Sequence, residues 1–391
     1  MKKKKAEIIN LEKKRTEITL KKLIKILRIP VVILVVIIAV FLSVRLMGNV
    51  AVSNITDGLR QVKTLFIPSD GYPYPLDDVE LNRVDSIGSD IIVVDEKTAV
   101  VLDSAARKRN TVQLESSDSK IISKNGRALI YGNSSSVVTL ISKTEVLGTV
   151  KTEKGVVTAA LASDGTFAVS YPTEKVQSVL TVYDNRFGTE FQWNCSSERI
   201  AAIDLSDNGK KIAVAAIGAT NAEIYTRFLI FDTGDSQPIA DIKIAGTMIY
   251  KTVFTSSEKI IAIGDNKTVV YNAKGEAQGE TAYAENSVSA IAADSDGNTV
   301  VCLDEYGGAQ SKLIVYKANG KLAGEIVVNG VPEAVDISEN RVAVALGSEI
   351  IKYSFKGKEL KRFQSNAAAS NLVVTSGSVY SAESGYIRKY K

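Results

Sequence analysis

The feature that most constrains the fold is a unit of short apolar segments that keeps returning along the chain. It is clearest at residues 157–171, 200–217, 288–304 and 333–346. In each copy an apolar segment runs into a turn of Ser, Asp, Asn and usually Gly, and then into a second segment of Val, Ile and Ala. Gly, Asn and Asp tolerate the positive φ that such tight turns demand. A third segment ends in a large apolar residue and then usually a polar one. These ends are Leu102-Asp103, Ile141-Ser142, Tyr183-Asp184, Phe231-Asp232, Tyr271-Asn272, Tyr316-Lys317, Tyr353-Ser354 and Tyr390-Lys391. They are separated by 39, 42, 48, 40, 45, 37 and 37 residues. A glycine turn, as at Gly188, Gly275, Gly320 and Gly357, leads to a fourth segment such as 322–328.

Four strands in roughly 40 residues is the period of a β-propeller blade. The fold class is therefore all-β, a propeller of eight four-stranded blades, with seven as the alternative count. A β-sandwich needs no fixed period of this length, and a β-helix has a shorter one. The first segments are rich in Ala (Ala159, Ala160 and Ala162; Ala201 and Ala202; Ala290, Ala292 and Ala293), which suits strands converging on a crowded axis. The eighth unit stops at Lys391 without a fourth strand. An unpaired edge there would be a liability. Residues 62–67 form a spare strand, expected to pair with the last blade and close the ring. The Pro- and Gly-containing stretch 68–75 reads as an interruption of regular structure.

Ahead of the repeats lies a different kind of chain. Residues 1–28 hold eleven Lys/Arg and three Glu, for +8, so the remainder sums to −4. Residues 29–44 carry no charge and are mostly Val, Ile and Leu. At 1.5 Å per residue they cover roughly 24 Å, and Leu46 and Met47 extend the run towards the roughly 30 Å hydrocarbon core. One N-terminal transmembrane helix is expected at 29–47. The Lys/Arg excess before it keeps that side cytoplasmic. The long charged lead and Arg45 argue against a cleaved signal peptide. The expected organisation is a basic cytoplasmic tail at 1–28, the span at 29–47, a linker at 48–81 and an extracytoplasmic propeller at 82–391. The mildly acidic ectodomain removes nucleic acid as a partner, whatever the overall +4 suggests.

The inventory of side chains excludes much chemistry. Histidine is absent, which removes Ser-His-Asp and Cys-His catalysis and histidine metal sites. Cys195 and Cys302 sit in or beside apolar runs and read as buried free thiols. Residues 294–298 carry Asp294, Asp296, Gly297 and Asn298, faintly like a calcium loop. The closing Glu is lacking, and the same place in other repeats is a hairpin turn. No metal and no cofactor is expected.

Candidate binding residues come from the loops joining second to third strands. Three of these are longer than the rest: 171–178, 218–227 and 304–312. They carry Tyr171, Tyr225, Arg227 and Tyr306, and aromatics and Arg on elaborated loops suit a recognition surface. The competing reading packs each Tyr onto its own blade.

The basic tail, the single span, the element Gly71-Tyr72-Pro73 and the Tyr-Asp or Tyr-Asn pairs ending third strands resemble a family of unknown function. Its members are membrane-anchored, propeller-like proteins of clostridial-type Gram-positive bacteria, and the similarity spans nearly the whole chain. More loosely, the repeats look like WD40-type and quinoprotein-type blades. A single Trp, Trp193, and the missing His exclude the signature residues of both. The resemblance implies the anchor and the propeller, and it brings no activity with it.

The expected function is a non-enzymatic binding or scaffolding module at the cell envelope, held by one span in the cytoplasmic membrane. Its partner would be an envelope protein, a peptide or a cell-wall polymer. One alternative is a ligand sensor signalling through the basic tail. The other is a hydrolase or lyase that works without His, and an inward cluster of carboxylates with displaced pKa values would favour it.

Overall fold

The structure, a computed structural model, describes Leu34, Val35, Ile38, Asp57, Arg60 and residues 68–76, 81–305 and 307–391. The chain divides into two compact units, Met1–Ile55 and Thr56–Lys391. In the first, Leu34, Val35 and Ile38 are helical and exposed. Apart from these three, the span expected at 29–47 lies outside the described residues. No helix among the described residues is long and apolar enough to cross a membrane.

The second unit is a propeller of eight four-stranded antiparallel sheets. Blades 1 to 7 occupy 81–113, 120–151, 158–195, 199–245, 249–282, 287–329 and 334–364. Blade 8 combines three strands of 371–390 with Tyr74–Pro75. All eight third-strand ends read from the repeat fall at the ends of third strands. Seven of the eight neighbouring pairs of first strands pack on one another around the axis, and that of blade 8 (Asn371–Val374) meets that of blade 1 (Leu81–Ile87).

Each sheet has a neighbour on both faces, and the sequence shows it. Second strands such as Lys259–Gly264 are buried almost throughout, which explains continuous Ile and Ala where alternation would mark a half-solvated strand. Outer strands such as Pro238–Ala245 alternate between half-buried and exposed. The core is accordingly eight apolar clusters, one at each blade interface. The polar residue ending many third strands has a local cause. Asp184 Oδ1 accepts from the N–H of Arg186 and of Gly188, both at 2.8 Å. Asn272 Oδ1 does the same for Lys274 and Glu276, at 2.9 and 3.0 Å. An Asx turn thus starts the return to the fourth strand.

Ring closure corrects the sequence reading. The strand that completes blade 8 is Tyr74–Pro75, with Tyr74 opposite Ile387 and Pro75 opposite Tyr386. Residues 62–67, expected to do this, lie outside the described residues. The stretch taken as an interruption supplies the strand instead. Pro is tolerated there because an edge strand leaves one side unpaired. Leu76 N donates to Gly385 O at 2.8 Å. The Tyr72 ring meets Tyr380 edge-on at 5.2 Å, and its hydroxyl donates to Asp103 O at 2.9 Å. Asp57 accepts from Ser142 Oγ at 2.8 Å and from Thr144 Oγ1, while Arg60 pairs with Glu145.

Candidate functional site

Up-and-down sheets sort their connections onto two faces. Turns joining second to third strands, and the links between blades, lie on the upper face. Turns joining first to second and third to fourth strands lie on the lower one. Blade 4 breaks the pattern above. Its second and third strands, Lys211–Thr220 and Glu223–Asp232, are ten residues each and stay paired to Thr220 opposite Glu223. The segment 218–227, read as a loop, is the end of this hairpin. Asn221 and Ala222 turn it with φ of 52° and 63°, the two left-handed residues of a type I′ turn. The strands are four residues longer than the six of Lys259–Gly264, so the tip rises roughly 13 Å at about 3.3 Å per residue. Ile224 near the tip is 44% exposed.

A polar network holds the root of this ledge. Glu198, in the link before blade 4, is 7% exposed. It accepts from Tyr225 Oη at 3.0 Å and from Cys195 Sγ at 3.3 Å, with Arg227 Nη1 3.8 Å away. Arg227 also grips Asp241 with both ends of its guanidinium, Nε to Oδ1 at 2.9 Å and Nη2 to Oδ2 at 2.6 Å. Lys243 Nζ lies 4.1 Å from the centre of the Tyr225 ring. Gly218 is opposite Tyr225, and a Cβ there would sit 2.6 Å from the ring, so the glycine leaves room for the Tyr to lie across the ledge. The hydrogen bond to Asp241 raises the Arg227 pKa, and the same bond lowers that of Asp241. Burial pushes the Cys195 thiol up to about 11. Both cysteines are buried and free, as read from the sequence.

The four residues singled out from the sequence do not form one patch. Tyr225 and Arg227 come together at the ledge. Tyr171 is 8% exposed and packs in the core between blades 2 and 3, so it offers no recognition surface. Tyr306 lies outside the described residues. Residues 294–298 form a turn, with Asp294 Oδ1 accepting from Asp296 N at 3.1 Å and Asn298 N at 2.9 Å. Glu198, Asp241 and Lys243 escaped notice. Asp241 and Lys243 had a signal in the alternation of the fourth strand; Glu198 had none.

A second group of charges lines the axis. Arg83 and Asp85 (blade 1), Asp204 (blade 4), Lys251 (blade 5) and Asp336 (blade 7) all stand on first strands. Blades 1 and 5 are opposite in the ring, yet Lys251 feels the charges of Arg83 and Asp85. Their side chains therefore reach into the same axial channel. Burial raises the carboxyls of Asp85, Asp204 and Asp336, the last to about 7, and lowers the Lys251 amine. Asp204 and Asp336 also fasten blades: each accepts from the next first strand, Phe254 N at 2.7 Å and Val374 N at 2.6 Å.

Residues 74–389 match a family of unknown function, DUF5711. The chain belongs to that family. No curated protein matches it. Among solved structures it is similar to Sqt1 of Saccharomyces cerevisiae at 10% identity and a TM-score of 0.56, over 83% of this chain and 100% of that one. The C-terminal WD40 domain of Sif2 matches at 11% identity and a TM-score of 0.56, over 81% and 97%. The Dos1 propeller matches at 10% and 0.57, over 84% and 96%. At these identities the likeness is one of fold.

The upper face around the ledge is acidic. Its lysines in turns and links, Lys97, Lys154 and Lys175, each have an acidic chain neighbour in Glu96, Glu153 and Glu174. Glu115, Asp118, Asp265, Glu285, Glu305 and Glu333 have no such basic neighbour within their turns. The arrangement suits contact with a positively charged partner.

Proposed function

We propose that this chain is a membrane-anchored, extracytoplasmic binding module whose upper face takes a protein partner. Anchoring and orientation rest on the uncharged run at 29–44 and the basic segment before it. The observation that carries the binding reading is the blade 4 ledge. A ten-residue hairpin projects an exposed Ile224 above an acidic face and is braced at its root by Glu198, Tyr225, Arg227 and Asp241. Rigid rings with one elaborated hairpin suit recognition, and WD40-type propellers commonly bind proteins, an analogy of fold alone. The test is a photo-crosslinking residue at position 224 in intact cells. A discrete adduct is expected, lost when Arg227→Ala and Tyr225→Ser are added. Adducts that are absent, or unchanged in those variants, would overturn the reading.

The axial carboxylates favour a second reading, the hydrolase or lyase, because Asp336 is poised near neutrality. The binding reading is preferred because Asp204 and Asp336 already use a carboxylate oxygen to fasten neighbouring strands.

A further inference from the structure

The lower face differs from the upper in charge and in what surrounds it. The third-to-fourth turns of blades 6 and 7 hold Lys317, Lys321, Lys356 and Lys358, all exposed and none in an ion pair among the described residues. Two acids of the fourth strands are taken: Glu359 pairs with Arg362, and Glu325 pairs with Lys312. The neighbouring first-to-second turns add Glu339 in blade 7 and Asp294 and Asp296 in blade 6, whose Asn298 accepts from Ala318 N at 2.9 Å. Two large apolar side chains stand among the lysines. Leu322 follows Lys321 and is 51% exposed, and Leu360 precedes Lys361 and is 47% exposed. Around the ring the same side opens into a cleft of about 670 Å³ whose charged lining is Asp70, Arg107, Lys389 and Lys391, with Arg107 paired to Asp103 at 2.8 Å.

We infer that this lower rim docks on a bilayer surface bearing anionic headgroups. Unpaired lysines supply attraction to the headgroups, and exposed leucines between them supply apolar surface for the interface below. A soluble polyanion would gain nothing from the leucines. The first described residues of this unit lie on the same side. Asp57 and Arg60 contact the third-to-fourth turn of blade 2, and Ser69 and Tyr72 contact that of blade 1. The choice of a bilayer over another polyanion rests on the anchoring reading.

Residues 56–391 contain the whole ring and its closing strand, so this unit can be tested apart from the span. It should sediment with phosphatidylcholine vesicles that contain phosphatidylglycerol, and not with phosphatidylcholine alone. Each basic residue at such a surface contributes about 1 kcal/mol, about fivefold. Lys321→Ser, Lys356→Ser and Lys358→Ser together should therefore weaken binding about a hundredfold. Leu322→Ser with Leu360→Ser should weaken it further at high salt. All five positions are exposed, and an unchanged melting temperature confirms folding. Three results overturn the inference: no binding to the anionic vesicles, equal binding by the lysine variant, or displacement by soluble poly(glycerol phosphate) with no effect of the leucines. Carbonate extraction of the full chain from cell membranes tests the anchor separately, so an anchored chain with an inert rim would refute docking alone.

Discussion

Replacing Asp336 by Asn should relieve the ring of a penalty that grows with pH. Asp336 Oδ2 accepts from Val374 N at 2.6 Å, joining the first strands of blades 7 and 8. Burial pushes its carboxyl from 3.8 to about 7 and the negative charge of Asp85 adds to this, while the N–H groups of Val374 and Ile337 oppose it. The unfolded chain ionises the same group near the ordinary value. Between about pH 4 and 7 the folded state therefore holds a proton that the unfolded state has lost, so stability falls as pH rises through that window. Moving a carboxyl from 3.8 to about 7 costs about 4 kcal/mol at 1.36 kcal/mol per pH unit. Water in the channel screens part of it, and about 2 kcal/mol is expected. Asn keeps the acceptor for Val374 and cannot ionise. At about 2.1 cal/mol/K per residue, the variant should melt roughly 3 °C above the parent at alkaline pH. Near the unperturbed pKa most of that gap should close. Thermal melts followed by circular dichroism at both ends of the range decide the matter. Equal melting in alkali, or a gain of the same size in acid, would show that ionisation in the channel is not the cause.

Three further outcomes follow from named contacts. Ala222→Gly should stabilise the ring by about 1 kcal/mol in urea melts, because Ala222 holds φ +63° in the ledge turn; a loss would mean the turn is not type I′. Tyr72→Ala removes the ring on Tyr380 and the bond to Asp103, and should cost about 3 kcal/mol; amide exchange should quicken first in the strands of blade 8. Cys195 and Cys302, both pushed up to about 11 by burial, should resist a thiol reagent at pH 8 until the protein is unfolded; fast labelling of the native protein would contradict their burial.

The same particulars show where reading the chain succeeds. Third-strand ends were legible to the residue because an Asx turn is local chemistry: Asp184 and Asn272 act on N–H groups two and four positions away. Cys302 was legible because an apolar second strand with a neighbour on both faces has nowhere else to put it; Cys195 ends an outer strand and is buried against the cluster between blades 3 and 4 and against Glu198. The ledge was misread because Gly218 and Ala219 carry little strand preference of their own. Pairing with Glu223, Ile224 and Tyr225 extends the strand there, and pairing is not a property of one segment.

What the sequence by itself determined is the repeat: four strands per unit, eight units, and the turn chemistry that separates them, since each depends on neighbours within a few positions. Tertiary structure alone decided which segment closes the ring, where Tyr171 points, and that Asp85, Asp204, Lys251 and Asp336 share one channel. These are contacts between residues tens to hundreds of positions apart. Their free energy exists only once the circle has formed, so no local pattern is obliged to announce them.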